Sequence, residues 1–204
     1  MIVTPTPSEV LPLINASLPE IRKALLDGID FASDIQPETD SRDRWYWAHS
    51  ARYRARRTLE TSSRDADSWE LVSGVPNSGI HILVDGLHKV RVLRSAEGTT
   101  PAPGHTRRRR QAWQQIRLQF PIDGEAGALP PLDLVLDWTT DHTDTLTMHL
   151  GMPRGVWNYG NDPILEWRVS LPSADDIDEL AFEGADDDFM PAVLRIDDTE
   201  AGAL

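Results

Sequence analysis

The chain has 204 residues, of which 40% are hydrophobic and 26% are charged, and it contains no cysteine. This length suits one domain, or one domain with an appendage, and it is enough to bury a core. The absence of cysteine excludes disulfide bonds, thiol catalysis and cysteine-ligated zinc, and it suits a reducing cytoplasm. We expect no signal peptide, because the first residues lack a basic and an apolar region, and no apolar run approaches the roughly 18 residues of a membrane span.

The charge of the chain is divided by position. Residues 41–117 carry fifteen Arg or Lys against seven Asp or Glu, whereas the remaining residues carry five against twenty-six. A segment of net charge +8 therefore lies inside a protein of net charge −13. Such a segment can pair internally, bind an anion or meet an acidic partner.

The first part of the chain is predicted to be helical. Apolar residues recur at steps of three and four over residues 8–34, with Pro12 and Pro19 dividing the run. Residues 17–20 resemble a capping box with Ser17 as N-cap, which predicts a helix that begins at Leu18. A second helix is predicted over residues 41–61 with Asp40 as its N-cap. Its expected inner face consists of Trp45, Ala48, Ala55 and Leu59.

From about Trp69 the apolar period changes from 3.6 to 2, which indicates strands. Residues 80–84 and 87–93 are predicted to form a hairpin through the turn Asp85-Gly86. Further alternating runs cover residues 112–120, 132–138, 146–152 and 165–171.

Helices followed by strands predict an α+β fold, with an N-terminal helical pair packed on an antiparallel sheet of about five to seven strands. We expect a single domain over residues 1–173, helical over 8–61 and β-rich over 69–172. An acidic C-terminal helix and tail is expected over residues 174–204, which contain eleven acids and one arginine.

The second predicted helix is rich in arginine and aromatic residues, and we call it the Arg/aromatic helix. Residues 42–57 contain six arginines and four aromatic residues against one acid. This is the composition of a protein-interface hot spot, and it also suits phosphate contact with base stacking. A third interpretation is a surface helix whose arginines pair with the protein's own carboxylates. The candidate partner-binding residues here are Arg44, Trp47, Arg52, Tyr53, Arg56 and Arg57.

Two predicted loops add further candidates. Four consecutive arginines, Arg107, Arg108, Arg109 and Arg110, can grip phosphates or pair with the acidic C-terminal segment. The segment 152–163 carries Trp157 and Tyr159 beside two glycines. There a contact role and a wide hairpin that buries Trp157 carry equal weight. The glycines do not match a phosphate-binding fingerprint.

The sequence contains no recognisable catalytic motif. Its six histidines lack the spacing of metal ligands, so we predict no metal and no cofactor. Neither a Gly-x-Ser-x-Gly elbow nor a Ser-His-Asp order is present. Asp133 and Asp137 share one face of a predicted strand, and together with His149 they are the residues that a hydrolase or nuclease would use.

The sequence therefore favours a non-enzymatic protein-interaction or regulatory protein, of the antitoxin, immunity or inhibitor type that bacterial and phage loci encode. The expected partner is another protein, bound through the Arg/aromatic helix and the Trp157 loop. The alternatives are a nucleic-acid-binding protein that uses Arg42–Arg57 and Arg107–Arg110, and a hydrolase or nuclease. We expect a cytoplasmic location and no membrane association.

Overall fold

A computed structural model of the chain describes residues 5–38, 41–95, 98–102, 131–155 and 161–172. The chain divides into two units, Met1–Ser170 and Leu171–Leu204. The first unit contains all the helices and strands described below. The predicted strand over 112–120 and the predicted acidic helix and tail over 174–204 lie outside the described residues.

Three helices precede the strands: α1 over Pro7–Ile14, α2 over Leu18–Ile35 and α3 over Arg44–Ser62. The predicted start at Leu18 and the position of Ser17 as N-cap are confirmed, but the side chain of Ser17 makes no capping hydrogen bond. Its hydroxyl instead donates back to the carbonyl of Ile14 at 2.8 Å. A capping box is found at the start of α1, where the carboxylate of Glu9 accepts a 2.7 Å hydrogen bond from the backbone N–H of Thr6. No helix in the described part of the chain is long and apolar enough to cross a membrane.

Six strands form one sheet in the order of the sequence. They are β1 (Trp69–Leu71), β2 (Ile80–Val84), β3 (His88–Arg94), β4 (Asp133–Thr140), β5 (Leu146–Pro153) and β6 (Leu165–Ser170). A short 3₁₀ turn, Pro76–Ser78, precedes β2. The fold is α+β, and the number of strands in the described part of the chain lies in the predicted range.

The sheet is mixed, because β3 and β4 pair in parallel while the other four pairs are antiparallel. The expectation of a purely antiparallel sheet is therefore wrong at this pair. Parallel neighbours need a crossover of a dozen or more residues. The chain between β3 and β4 supplies that length, whereas the predicted β2–β3 hairpin closes tightly through Asp85 and Gly86, both with positive φ.

The core lies between the helices and one face of the sheet. Alternate residues of β4, namely Leu134, Leu136 and Trp138, are buried on that face. The ring of Trp138 lies 6.4 Å from the ring of Trp47 on α3. The sheet thus carries α3 on its inner side and leaves the opposite side of that helix exposed.

Helices α2 and α3 approach each other closely at Gly28. A Cβ atom at this position would overlap the carbonyl oxygen of Ala51 and would lie 3.2 Å from the Cβ of Ala55. Gly28 lies inside α2 and is needed for this helix contact, so the structure gives it a packing role.

Candidate functional site

The Arg/aromatic helix begins at a well-defined cap. Asp43 is the N-cap of α3, and one of its carboxylate oxygens accepts hydrogen bonds from the backbone N–H groups of Trp45 and Tyr46, both at 3.0 Å. The prediction of Asp40 as N-cap is wrong, since the helix starts three residues later than expected. The cap fixes the direction in which the first aromatic residues point.

The two tryptophans of α3 lie on opposite sides of the helix. Trp47 is 1% exposed and packs against the sheet, whereas Trp45 is 74% exposed. The predicted inner face is therefore wrong at Trp45. The helix buries one stripe at four-residue steps, namely Trp47, Ala51, Ala55 and Leu59. Trp47, a predicted contact residue, faces the interior in this structure.

The side of α3 that points away from the sheet carries several exposed aromatic groups. Tyr53 is 50% exposed and Tyr46 is 43% exposed. The ring of His49 stacks on that of Trp45 with centroids 5.5 Å apart and planes 2° from parallel. We call this surface the α3 outer face and define it by Trp45, Tyr46, His49, Tyr53 and Arg57.

Two arginines of α3, Arg54 and Arg56, contact other elements of the protein. Arg56 donates to the backbone carbonyls of Gly79 and Val72 and therefore ties α3 to the segment before β2. Arg54 forms a two-point ion pair with Asp27 of α2, at 2.9 and 3.1 Å. Of the predicted contact arginines, Arg56 thus has a structural role.

Of the remaining predicted arginines, Arg44 and Arg57 are exposed, whereas Arg52 is partly buried and its Nε atom has no hydrogen-bond partner among the described residues. Arg57 pairs with Glu60 at 2.8 Å and stays largely exposed. Arg52 hydrogen-bonds with Nδ1 of His49 at 3.1 Å and lies beside the α3 outer face. The side chain of Arg44 is exposed at the first residue of the helix.

A second polar cluster links the start of α3 to the sheet. Asp144 accepts two hydrogen bonds from Arg42, at 2.9 and 3.2 Å, and one from Ser33 at 2.9 Å. The indole N–H of Trp47 donates to the hydroxyl of Ser33 at 3.2 Å. The hydrogen bond from Arg42 lowers the pKa of Asp144 despite its partial burial. Asp144 therefore stays ionised and joins α2, α3 and the β4–β5 turn.

The opposite face of the sheet contains a buried carboxylate. Asp137 on β4 has no exposed surface, and both its oxygens accept hydrogen bonds from Arg168 on β6, at 2.7 and 3.0 Å. The hydroxyl of Thr100 adds a third at 2.8 Å, and Nδ1 of His149 lies 3.6 Å away. Burial raises the pKa of Asp137, but the contacts from His149, Arg168 and Thr100 outweigh it and lower that pKa to about 2.

The carboxylates of the hydrolase hypothesis do not converge. Asp133 pairs with Arg91 at 2.9 Å, four residues along β4 from Asp137, which is about 13 Å along a strand. Only Asp137 and His149 meet, as direct partners on β4 and β5. In the described part of the chain, no group of three His, Asp or Glu side chains is arranged to hold a metal ion.

The strand register also places Ser170 beside His149. Asp137, His149 and Ser170 therefore lie side by side on three strands, which is the set of residue types in a Ser-His-Asp site. A catalytic triad needs hydrogen bonds between its members, and within the described residues none joins His149 to Ser170. Both oxygens of Asp137 are instead bound by Arg168, so the carboxylate forms an ion pair with that residue.

The other predicted contact residues are not placed by the structure. Arg107, Arg108, Arg109, Arg110, Trp157 and Tyr159 lie outside the described residues. The sequence analysis did not single out Arg94, whose guanidinium lies 4.9 Å from the ring centre of Trp47 and 5.9 Å from that of Trp138. The sequence signal that could have identified Arg94 is its charge at a position of β3 that the alternating pattern places on the inner face of the sheet.

Comparison of this chain with protein-family models, with curated proteins and with solved structures finds no match.

Proposed function

We propose that the chain is a non-enzymatic protein-interaction or regulatory protein, of the antitoxin, immunity or inhibitor type, that acts in the cytoplasm through the α3 outer face. One observation carries the proposal. Trp45, Tyr46 and Tyr53 are exposed on this face, while the core beneath α3 is filled by Trp47 and the sheet.

Exposed aromatic groups beside arginine have a clear use in recognition. Each large ring buries about 150–250 Å² when it is covered, and tryptophan, tyrosine and arginine dominate interface hot spots. Trp45 gains little from the protein's own fold, because most of its ring contacts solvent. Arg52 adds positive charge beside the rings, so the partner surface is expected to be acidic with an apolar centre.

A protein partner fits this face better than nucleic acid does. Phosphate contacts need guanidinium groups that are free to neutralise a strand. Arg54, Arg56 and Arg57 already pair with groups of this chain, and the net charge of −13 repels a polyanion. The rings, in contrast, need only a complementary surface.

Affinity purification from the native host tests the proposal. Full-length wild-type protein is compared with the double variant Trp45→Ala/Tyr53→Ala and with Leu87→Ala. Leu87 is an exposed apolar residue on the β2–β3 turn, so its variant is the matched control. We expect one protein to be retained by the wild type and by Leu87→Ala, and to be lost from the double variant. Equal recovery by all three proteins would contradict the proposal, as would recovery of nucleic acid alone.

A further inference from the structure

A cleft of about 430 Å³ lies beside the start of α3, between the end of β3 and the β4–β5 turn. Its lining includes three arginines from three places in the sequence and three side-chain hydroxyls. These residues are Arg42, Arg44, Arg94, Ser95, Thr139 and Thr140. None of the residues that define the α3 outer face lines this cleft.

The positive charge of this cleft is only partly neutralised. Asp144 is engaged by Arg42, and Asp141 at the rim accepts hydrogen bonds from the backbone N–H groups of Thr143 and Thr145. Within the described residues, neither Arg44 nor Arg94 has a carboxylate in ion-pair contact. The Nε atom of Arg94 is moreover buried without a hydrogen-bond partner among those residues.

A buried donor without an acceptor costs free energy, and an ion that is not part of the chain is one of its ordinary explanations. Burial lowers the pKa of Arg94, the neighbouring Arg44 and Arg42 lower it further, and the charge of Asp144 offsets only part of this. The three guanidinium groups are therefore close enough to repel one another. An anion between them would relieve that repulsion.

The arginines are also held in place before any ligand arrives. The guanidinium carbon of Arg42 lies 5.1 Å from the ring centre of Trp47, and that of Arg94 lies 4.9 Å from the same ring centre. Arg94 contacts Trp138 as well. Side chains that are already ordered lose little entropy on binding, which favours affinity.

We propose that this cleft binds a phosphate group, either the free ion or the phosphate of a small polar monoester. Planar guanidinium forks match the oxygens of phosphate, and a doubly charged tetrahedral anion can contact several of them at once.

The other residues that line the cleft indicate what kind of group the phosphate is attached to. Thr139 and Thr140 contribute hydroxyls, Trp47 is too deeply buried to offer a ring for stacking, and the exposed ring in the lining is the small imidazole of His142. A sugar or polyol body therefore fits better than a nucleotide base, since the described lining offers no large exposed aromatic ring for base stacking.

Isothermal titration calorimetry of the full chain at low ionic strength tests this inference by measuring the heat of binding. The probes are inorganic phosphate, ribose 5-phosphate and adenosine 5′-monophosphate, with sodium chloride at matched ionic strength as the reference. The variants are Arg44→Gln and Arg94→Gln. The control is Arg64→Gln, which removes the same charge from an exposed position outside the cleft. Because Arg94 contacts two core tryptophans, Arg44→Gln keeps the test decisive if Arg94→Gln fails to fold.

We expect saturable binding of a phosphate probe that weakens by about tenfold or more in Arg44→Gln, as loss of a charged hydrogen bond predicts, and is unchanged in Arg64→Gln. In ¹H–¹⁵N spectra the Nε–H signal of Arg94 should shift on titration. Tighter binding of ribose 5-phosphate than of phosphate would assign the site to a monoester, and equal binding would assign it to the free ion. No binding of any probe, or equal weakening by Arg44→Gln and Arg64→Gln, would overturn the inference.

Discussion

Replacing Asp137 by asparagine should destabilise the protein and should change how its stability depends on pH. The substitution keeps the shape of the side chain but removes the charge that Arg168 contacts at two points. Breaking a fully buried ion pair costs about 3–5 kcal/mol, because the other charge is left without a partner. Arg168 keeps about a quarter of its side-chain surface in water, so we expect a loss of about 2–4 kcal/mol at neutral pH.

The pKa of Asp137 gives a second route to this magnitude. It falls from 3.8 to about 2 in the folded protein, and each pKa unit corresponds to about 1.4 kcal/mol. The ionised carboxylate therefore contributes about 2.5 kcal/mol to the free energy of unfolding at neutral pH. Because the folded pKa is the lower one, this contribution is complete above about pH 5 and is lost as the pH falls toward about 2.

Urea denaturation at a series of pH values measures both effects. The difference in unfolding free energy between wild type and Asp137→Asn should be largest at neutral pH and should shrink between about pH 5 and pH 2. The control is Asp65→Asn, which changes an exposed carboxylate and should leave the wild-type profile nearly intact. A difference that stays constant over this range would refute the assignment of a buried, charged Asp137.

Three other substitutions test the fold beneath the proposed site. Trp45→Ala should change the free energy of unfolding by less than about 0.5 kcal/mol, whereas Trp47→Ala should cost about 3–5 kcal/mol; equal effects in urea denaturation would contradict the orientation of α3. Asp43→Ala should cost about 1 kcal/mol through loss of the N-cap, and an unchanged thermal midpoint would contradict that role. Gly28→Ala should destabilise by about 1–3 kcal/mol through overpacking against α3, so a more stable variant would show that the two helices are farther apart.

Local sequence patterns correctly predicted the elements whose structure depends on residues nearby in sequence. The start of α2 at Leu18 and the hairpin turn at Asp85-Gly86 follow from proline placement and from residues that accept positive φ. The inward face of β4 follows from its alternation. In each case the signal and the structure lie within a few residues of each other.

The features that local patterns missed depend on distant residues. Trp45 and Trp47 both suit a helix interior, and contact with Trp138 on the sheet decides between them. The partners of Asp137 come from Thr100 and Arg168, which are 37 and 31 residues away in sequence. The parallel pairing of β3 with β4 likewise depends on a long connection and not on either strand's own pattern.

The divided charge of the sequence is partly explained by internal pairing. Arginines of the basic segment pair with acids that flank it, such as Arg54 with Asp27 and Arg42 with Asp144. Neutralising charge in this way needs no aromatic residue. The exposed rings of α3 are therefore the part of this segment that points to a partner.

Site-specific photocross-linking in the native host tests most directly whether the α3 outer face binds a protein partner. A benzoylphenylalanine replaces Tyr53 on the α3 outer face in one full-length protein and Leu87 on the β2–β3 turn in another. We expect position 53 to capture one acidic protein and position 87 not to capture it. Failure of position 53 to capture a protein, or capture of the same protein from both positions, would contradict the proposal.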